Sequence, residues 1–152
     1  MANVLTNKFM QLAINKAKDA ILMEEVPVAA IIVHNNKILS IAHNLNRTNN
    51  DPCAHAEIIA IREAAKIKKS KMLNDCDIYV TLEPCAMCAG AISLARIKTL
   101  FYACADKKFG AVENGIRFFS SKSCLHRPDI YSGFFEDESR KILQDFFKRK
   151  RV

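Results

Sequence analysis

Two short segments hold residue types that could do chemistry together. His55 and Glu57 stand two apart in Cys53-Ala54-His55-Ala56-Glu57, and Cys85 and Cys88 stand three apart in Leu82-Glu83-Pro84-Cys85-Ala86-Met87-Cys88. Zinc prefers thiolate and imidazole donors, and a catalytic zinc takes three protein ligands and leaves its fourth position to water. His55, Cys85 and Cys88 make such a set, which predicts one Zn2+ per chain. At i and i+3 the two cysteines face one side of a helical turn. At a helix start the dipole also lowers a thiol's pKa and favours the metal-binding thiolate. Two thiolates cancel the ion's charge. Glu57 is then the candidate general acid and base, because a carboxylate beside an activated water can take its proton and hand it to a leaving amine.

Each element has a plainer reading. A CxxC alone in a reducing compartment can be a redox pair or two buried cysteines. An upstream His-x-Glu, with each segment opening a helix, argues against that reading. There is also a geometric condition. Positions i and i+2 of a regular helix point about 200° apart. His55 and Glu57 therefore share a centre only if His55 lies at the frayed helix start and Glu57 in the first turn. His34 at a hairpin turn, His43 at a strand end and His126 in a loop are poorer ligands. Cys53, Cys76, Cys104 and Cys124 read as small buried hydrophobes.

The elements that must position these residues follow from apolar spacing. Phe9, Leu12, Ala13, Ala17 and Ala20 recur at helical intervals, which predicts a helix over about 7–24. The run 28–34 is a buried strand, Asn35-Asn36 a turn and 37–43 a returning strand. A polar loop over 47–52 leads to a helix at 54–68. A strand is expected at 77–82, a helix opened by Pro84 at 85–95 and a strand at 99–103. Residues 106–128 read as irregular with a short helix, and 136–150 as a closing amphipathic helix. Strands alternating with helices predict an α/β fold, a three-layer α/β/α sandwich around a central mixed sheet, in one domain over 1–152.

The bulk numbers bound the class. The 152 residues are half hydrophobic and 26% charged, the mix of a globular protein with a real core. No apolar run approaches the roughly 18–20 residues that span a bilayer, and the N-terminus lacks a signal-peptide core. The expectation is therefore a cytoplasmic protein without membrane contact. The net charge of +7 favours a polyanionic partner. The charge is uneven, with Lys66, Lys68, Lys69 and Lys71 in one cluster and Lys148, Arg149, Lys150 and Arg151 near the end.

The pattern His-x-Glu followed by Pro-Cys-x-x-Cys is the signature of zinc-dependent nucleobase deaminases. The sequence resembles the bacterial tRNA-specific adenosine deaminases of the TadA type, in the cytidine deaminase-like superfamily. The matching stretches are Glu25-Val26-Pro27-Val28, Val33-His34-Asn35-Asn36, Asp51-Pro52, Ala54-His55-Ala56-Glu57 and the run from Val80 to Ala91. Asp106, Lys108, Gly110-Ala111, His126-Arg127 and Asp145-Phe146-Phe147 continue the match. The resemblance implies that His55, Cys85 and Cys88 bind zinc and that Glu57 moves protons. It makes Asn44 a hydrogen-bond partner of a flipped purine, although the residues alone mark Asn44 as a turn position. It places Asp106 at the nucleotide sugar, and Val28, Phe146, Phe147 and Arg149 among the substrate contacts. Core packing is the plainer reading of the two phenylalanines. The chain departs from the family pattern at Ala29, Cys53 and Leu125. Cys53 is the departure that bears on chemistry, as a fourth thiolate that would close a zinc site.

The implied activity is hydrolytic conversion of adenosine to inosine at the wobble position of a tRNA anticodon, by a homodimer. The alternative enzyme is a free-base or nucleotide deaminase acting on guanine, cytosine or a cytidine nucleotide with the same chemistry. The basic tail argues against it, since a small substrate needs no such surface. A non-catalytic RNA-binding subunit with a closed structural zinc is the reading from another class, and the presence of Glu57 argues against that one.

Overall fold

A computed structural model describes residues 4–151. Residues 1–3 and 152 of the domain expected over 1–152 lie outside the described residues. Five strands form one sheet, β1 Ala29–His34, β2 Lys37–His43, β3 Cys76–Leu82, β4 Thr99–Cys104 and β5 Asp129–Ser132, in the order β2-β1-β3-β4-β5. β1 runs antiparallel to both β2 and β3, while β3, β4 and β5 are mutually parallel. The sheet is therefore mixed, as expected.

Strand periodicity divides the core into two layers. Ile31, Val33, Tyr79 and Ala103 point to one face, where they pack with Phe9, Met10, Ala13 and Ile14 of helix α1, Val4–Leu22. Ala30, Ile32, Ile78, Val80, Leu100 and Tyr102 point to the other face. There they meet Ala56, Ala60 and Ala64 of α2, Ala56–Lys68, and Ala89 and Ile92 of α3, Ala86–Leu94. Successive side chains of a strand alternate between faces, so a sheet covered on both sides reads as a continuous apolar run. Helix α4, Glu136–Lys150, lies beside α1 and β4 and completes the three-layer sandwich. The hairpin turn forms at Asn35-Asn36, both at positive φ as a type I′ turn requires.

One element departs from the expected order. The sequence reading ends its strands at β4, but Asp129–Ser132 forms a fifth, pairing Thr99 with Asp129 and Tyr102 with Ser132. It is a short edge strand, partly exposed along its length, so it shows neither an apolar run nor alternation. The short helix expected within 106–128 is a single 3-10 turn, Phe118–Ser120.

Candidate active site

The starts of α2 and α3 meet at one end of the sheet. His55 is the N-cap of α2, with extended backbone (φ −73°, ψ 151°), and Glu57 lies in the first turn. The geometric condition for His55 and Glu57 to share a centre is met, because the helix begins between them. Cys85 is likewise the extended N-cap of α3, and Cys88 lies one turn in. His55 Nδ1 is 3.6 Å from Cys85 Sγ and 3.4 Å from Cys88 Sγ. All three donor atoms lie within 4.8 Å of one another, so His55, Cys85 and Cys88 can hold a metal ion. Cys53 is exposed and stands outside this group, which numbers three ligands among the described residues.

The electrostatics fit an electron-rich donor set. The Cys85 thiol is drawn down to about 4, first by the hydrogen bond from Cys88 and then by His55, against the opposing effect of burial. The hydrogen bond to Cys85, and then burial, hold the Cys88 thiol above its ordinary value. The hydrogen bond to Cys85 likewise raises His55. The Glu57 side chain is buried and desolvation raises its carboxyl, as suits a group that must both take and give a proton.

Residues 5–151 match the family described as MafB19-like deaminase. A tRNA-specific adenosine deaminase of Rickettsia bellii is 52% identical over 144 residues, which cover 93% of this chain and 99% of that one. One from Agrobacterium fabrum is 49% identical over 144 residues, 95% of each chain. The chain belongs to the tRNA-specific adenosine deaminase family. A solved structure from a study of A-to-I editing by tRNA:A34 deaminases at the wobble position of transfer RNA agrees, with a TM-score of 0.88. It is 48% identical, and the match covers 90% of this chain and 99% of that one.

The residues singled out by likeness to the family fall into distinct places. Asn44 is buried at the end of β2, and its Oδ1 accepts the Ala56 N–H at 2.8 Å. It caps α2 in place of His55, whose side chain makes no cap bond, and its amide N–H groups are thereby turned away from the helix. Val28 is buried beside it, its carbonyl accepting the Asn44 N–H. Asp106 Oδ1 accepts the N–H groups of Lys108 and Phe109, both at 3.0 Å, and so folds the turn that follows β4. Phe146 is buried, Phe147 is 45% exposed and Arg149 is exposed. Of the two phenylalanines, Phe146 fits the core reading and Phe147 is the one open to a ligand. The α4 tail reaches the loop after Asn44, since Lys150 lies 3.8 Å from Glu24, which lies 3.6 Å from Arg47.

The lysine cluster sits elsewhere. Lys66 and Lys68 end α2 and Lys69 caps it, about 18 Å along the helix from the site at its start. Lys68 is paired with Asp75, which also meets His34 Nε2 at 2.9 Å. His43 Nδ1 is bonded to the Asn44 carbonyl and His126 Nε2 to the Ile97 carbonyl, so neither serves the donor set.

Two buried carboxylates have a structural role that their sequence context does not mark. Glu25 accepts the Thr48 N–H and hydroxyl, each at 2.6 Å, and the Arg47 N–H at 3.2 Å. Glu83 Oε2 accepts the N–H groups of Val112, Glu113 and Asn114, each at 3.0 Å. Its Oε1 takes the Asp106 N–H at 3.1 Å and Asn114 Nδ2 at 2.7 Å. Burial alone would raise each carboxyl, but the hydrogen bonds outweigh it and hold both below the ordinary value. These residues pin the two loops that flank the site. The available signal was one glutamate a few residues before a buried strand and another directly after a second.

Proposed function

We propose that this chain catalyses hydrolytic deamination of adenosine to inosine at the wobble position of a tRNA anticodon, with zinc as its metal. The observation that carries the reading is the three-donor group at two helix starts with a buried glutamate beside it, in a chain about half identical to named tRNA-specific adenosine deaminases. Two thiols and an imidazole are a donor set that zinc favours, so the residues fit the ion. When bound, zinc supplies Lewis acidity that makes water a nucleophile near neutral pH. His55, Cys85 and Cys88 would hold the ion. Glu57 takes a proton from the attacking water and delivers it to the departing amine, with burial keeping its carboxyl ready for both transfers. The Asn44 amide, fixed by its bond to Ala56, presents N–H groups to the purine edge. Val28 backs Asn44, Asp106 lies at the sugar of the target nucleotide, and Phe147 and Arg149 border the flanking nucleotides.

Among the described residues no helix is long and apolar enough to cross a membrane. The enzyme acts in the cytoplasm, where its tRNA substrate is, as a homodimer of one-domain chains. The basic surface at the tail favours an anticodon stem-loop over a free base. The test is mass spectrometry of tRNA and of free guanine, cytosine and cytidine nucleotide after incubation with the purified protein. Inosine in the anticodon is the expected result. Faster turnover of a small substrate would replace this reading.

A further inference from the structure

The turn that follows β4 presents an aromatic ring that no core claims. Phe109 is 66% exposed, and Lys108 Nζ lies 5.2 Å from its ring centroid. Lys107 and Lys108 are exposed, and among the described residues neither has an acidic partner within ion-pair distance. The backbone beneath the ring is held on both sides. Asp106 Oδ1 accepts the Phe109 N–H itself, and Gly110 lies so close to Glu83 that an added Cβ would stand 2.5 Å from its carboxyl carbon. Next in line, the Ala111 N–H donates to the Pro84 carbonyl at 2.9 Å, one residue from Cys85. The ring is thus an exposed apolar surface with a cation over it, on a turn whose backbone is anchored one residue from Cys85.

We propose that Phe109 is a stacking platform for the nucleobase next to the target adenosine, with Lys107 and Lys108 taking the adjoining phosphate. The inference rests on the proposed RNA substrate. An aromatic face takes any base by stacking, and flanking lysines suit the phosphate that accompanies it. A protein partner is the less fitting occupant, because a lysine charge without an acidic partner lies over the ring. Fixing the platform beforehand also removes an ordering cost from binding.

The test compares wild type with Phe109→Ala, Phe109→Leu and Phe109→Tyr on an anticodon stem-loop, with 2-aminopurine placed at each nucleotide beside the target in turn. Removal of a base-stacking aromatic weakens binding by about 5- to 150-fold. The expected result is a KM rise of that order for alanine and leucine, a much smaller change in kcat, and recovery with tyrosine. Quenching of 2-aminopurine on binding is expected in wild type and Phe109→Tyr and lost in the other two. Leucine behaving as wild type would overturn stacking. So would an alanine variant within twofold of wild type, or one whose sedimentation mass falls, which would make the ring a contact between copies. If wild type leaves the stem-loop adenosine untouched, the proposed function fails first and this inference goes with it.

Discussion

Glu83 offers the sharpest test of how the site is built. Glu83→Ala would strand five donors, each costing about 1–3 kcal/mol if it stayed buried and unpaired. All five together would cost about 5–15 kcal/mol, as much as the whole stability of a domain this size. The loop over 106–114 must therefore let go instead, which lets exposed Glu113 and half-buried Asn114 regain water while buried Val112 loses its packing. That limits the loss to about 3–5 kcal/mol. Glu83→Gln is no milder in kind. An amide keeps one oxygen, so its NH2 must oppose either the two donors now on Oε1 or the three on Oε2, at about 2–4 kcal/mol. With an m-value near 2 kcal/mol/M, the urea midpoint should fall by about 1–2 M in the glutamine variant. The carboxyl lies below its ordinary value in the folded state, so its contribution is full above the unfolded value of 4.5 and is lost as pH falls through the folded one. Between neutral pH and the acid limb, the gap between wild type and Glu83→Gln should therefore close. A glutamine variant with an unchanged midpoint, or one whose deficit persists at low pH, would show that the carboxylate does not hold the loop.

Three further outcomes follow from the site. Glu57→Ala should keep its metal and its melting temperature while turnover falls at least about 10²- to 10⁴-fold, and a wild-type rate would move the proton carrier elsewhere. Removing residues 148–152 should lower the salt dependence of stem-loop binding by a slope of about 2–3, whereas neutralising Lys66, Lys69 and Lys71 at the far end of α2 should leave it unchanged. The reverse result would place the RNA on the opposite end of the molecule. A single deoxyribose at the target should slow wild type but not Asp106→Asn if Asp106 reads the 2′-hydroxyl, and equal slowing of both would remove that role.

The metal-capable group and most of the frame around it were legible in the sequence. His55, Cys85 and Cys88 could be chosen from the sequence because few residue types bind zinc and their spacing to a helix start is narrow. Strands buried on both faces and alanine-lined helices announced themselves through apolar period. β5 did not, because Asp129–Ser132 is held by its backbone pairing with β4 and its side chains remain partly in solvent. Asn44 carried no local mark, since its partner is the Ala56 N–H twelve residues on. The same holds for Glu25 and Glu83. A buried carboxylate that binds backbone N–H groups looks in sequence like any surface glutamate. The place of the lysine run at 66–71 was not legible either, because composition counts charge but not which end of a helix bears it.

The way these two glutamates grip has a consequence for what the loops can become. Both take hold chiefly of main-chain N–H groups, so much of each loop's shape is set by a residue outside the loop, with Asn46, Asp51 and Asp106 adding bonds from within. Among the described residues, the side chains of Lys107, Lys108 and Phe109 make none of these bonds. Proline is the substitution to avoid at 47, 48, 106, 108, 109 and 112–114, where it would delete a donor. Gly110, which has no room for a side chain, is fixed as well. A library randomised at the remaining loop positions would keep the backbone and vary the surface on both flanks of the metal-binding group, which makes this scaffold suited to selection.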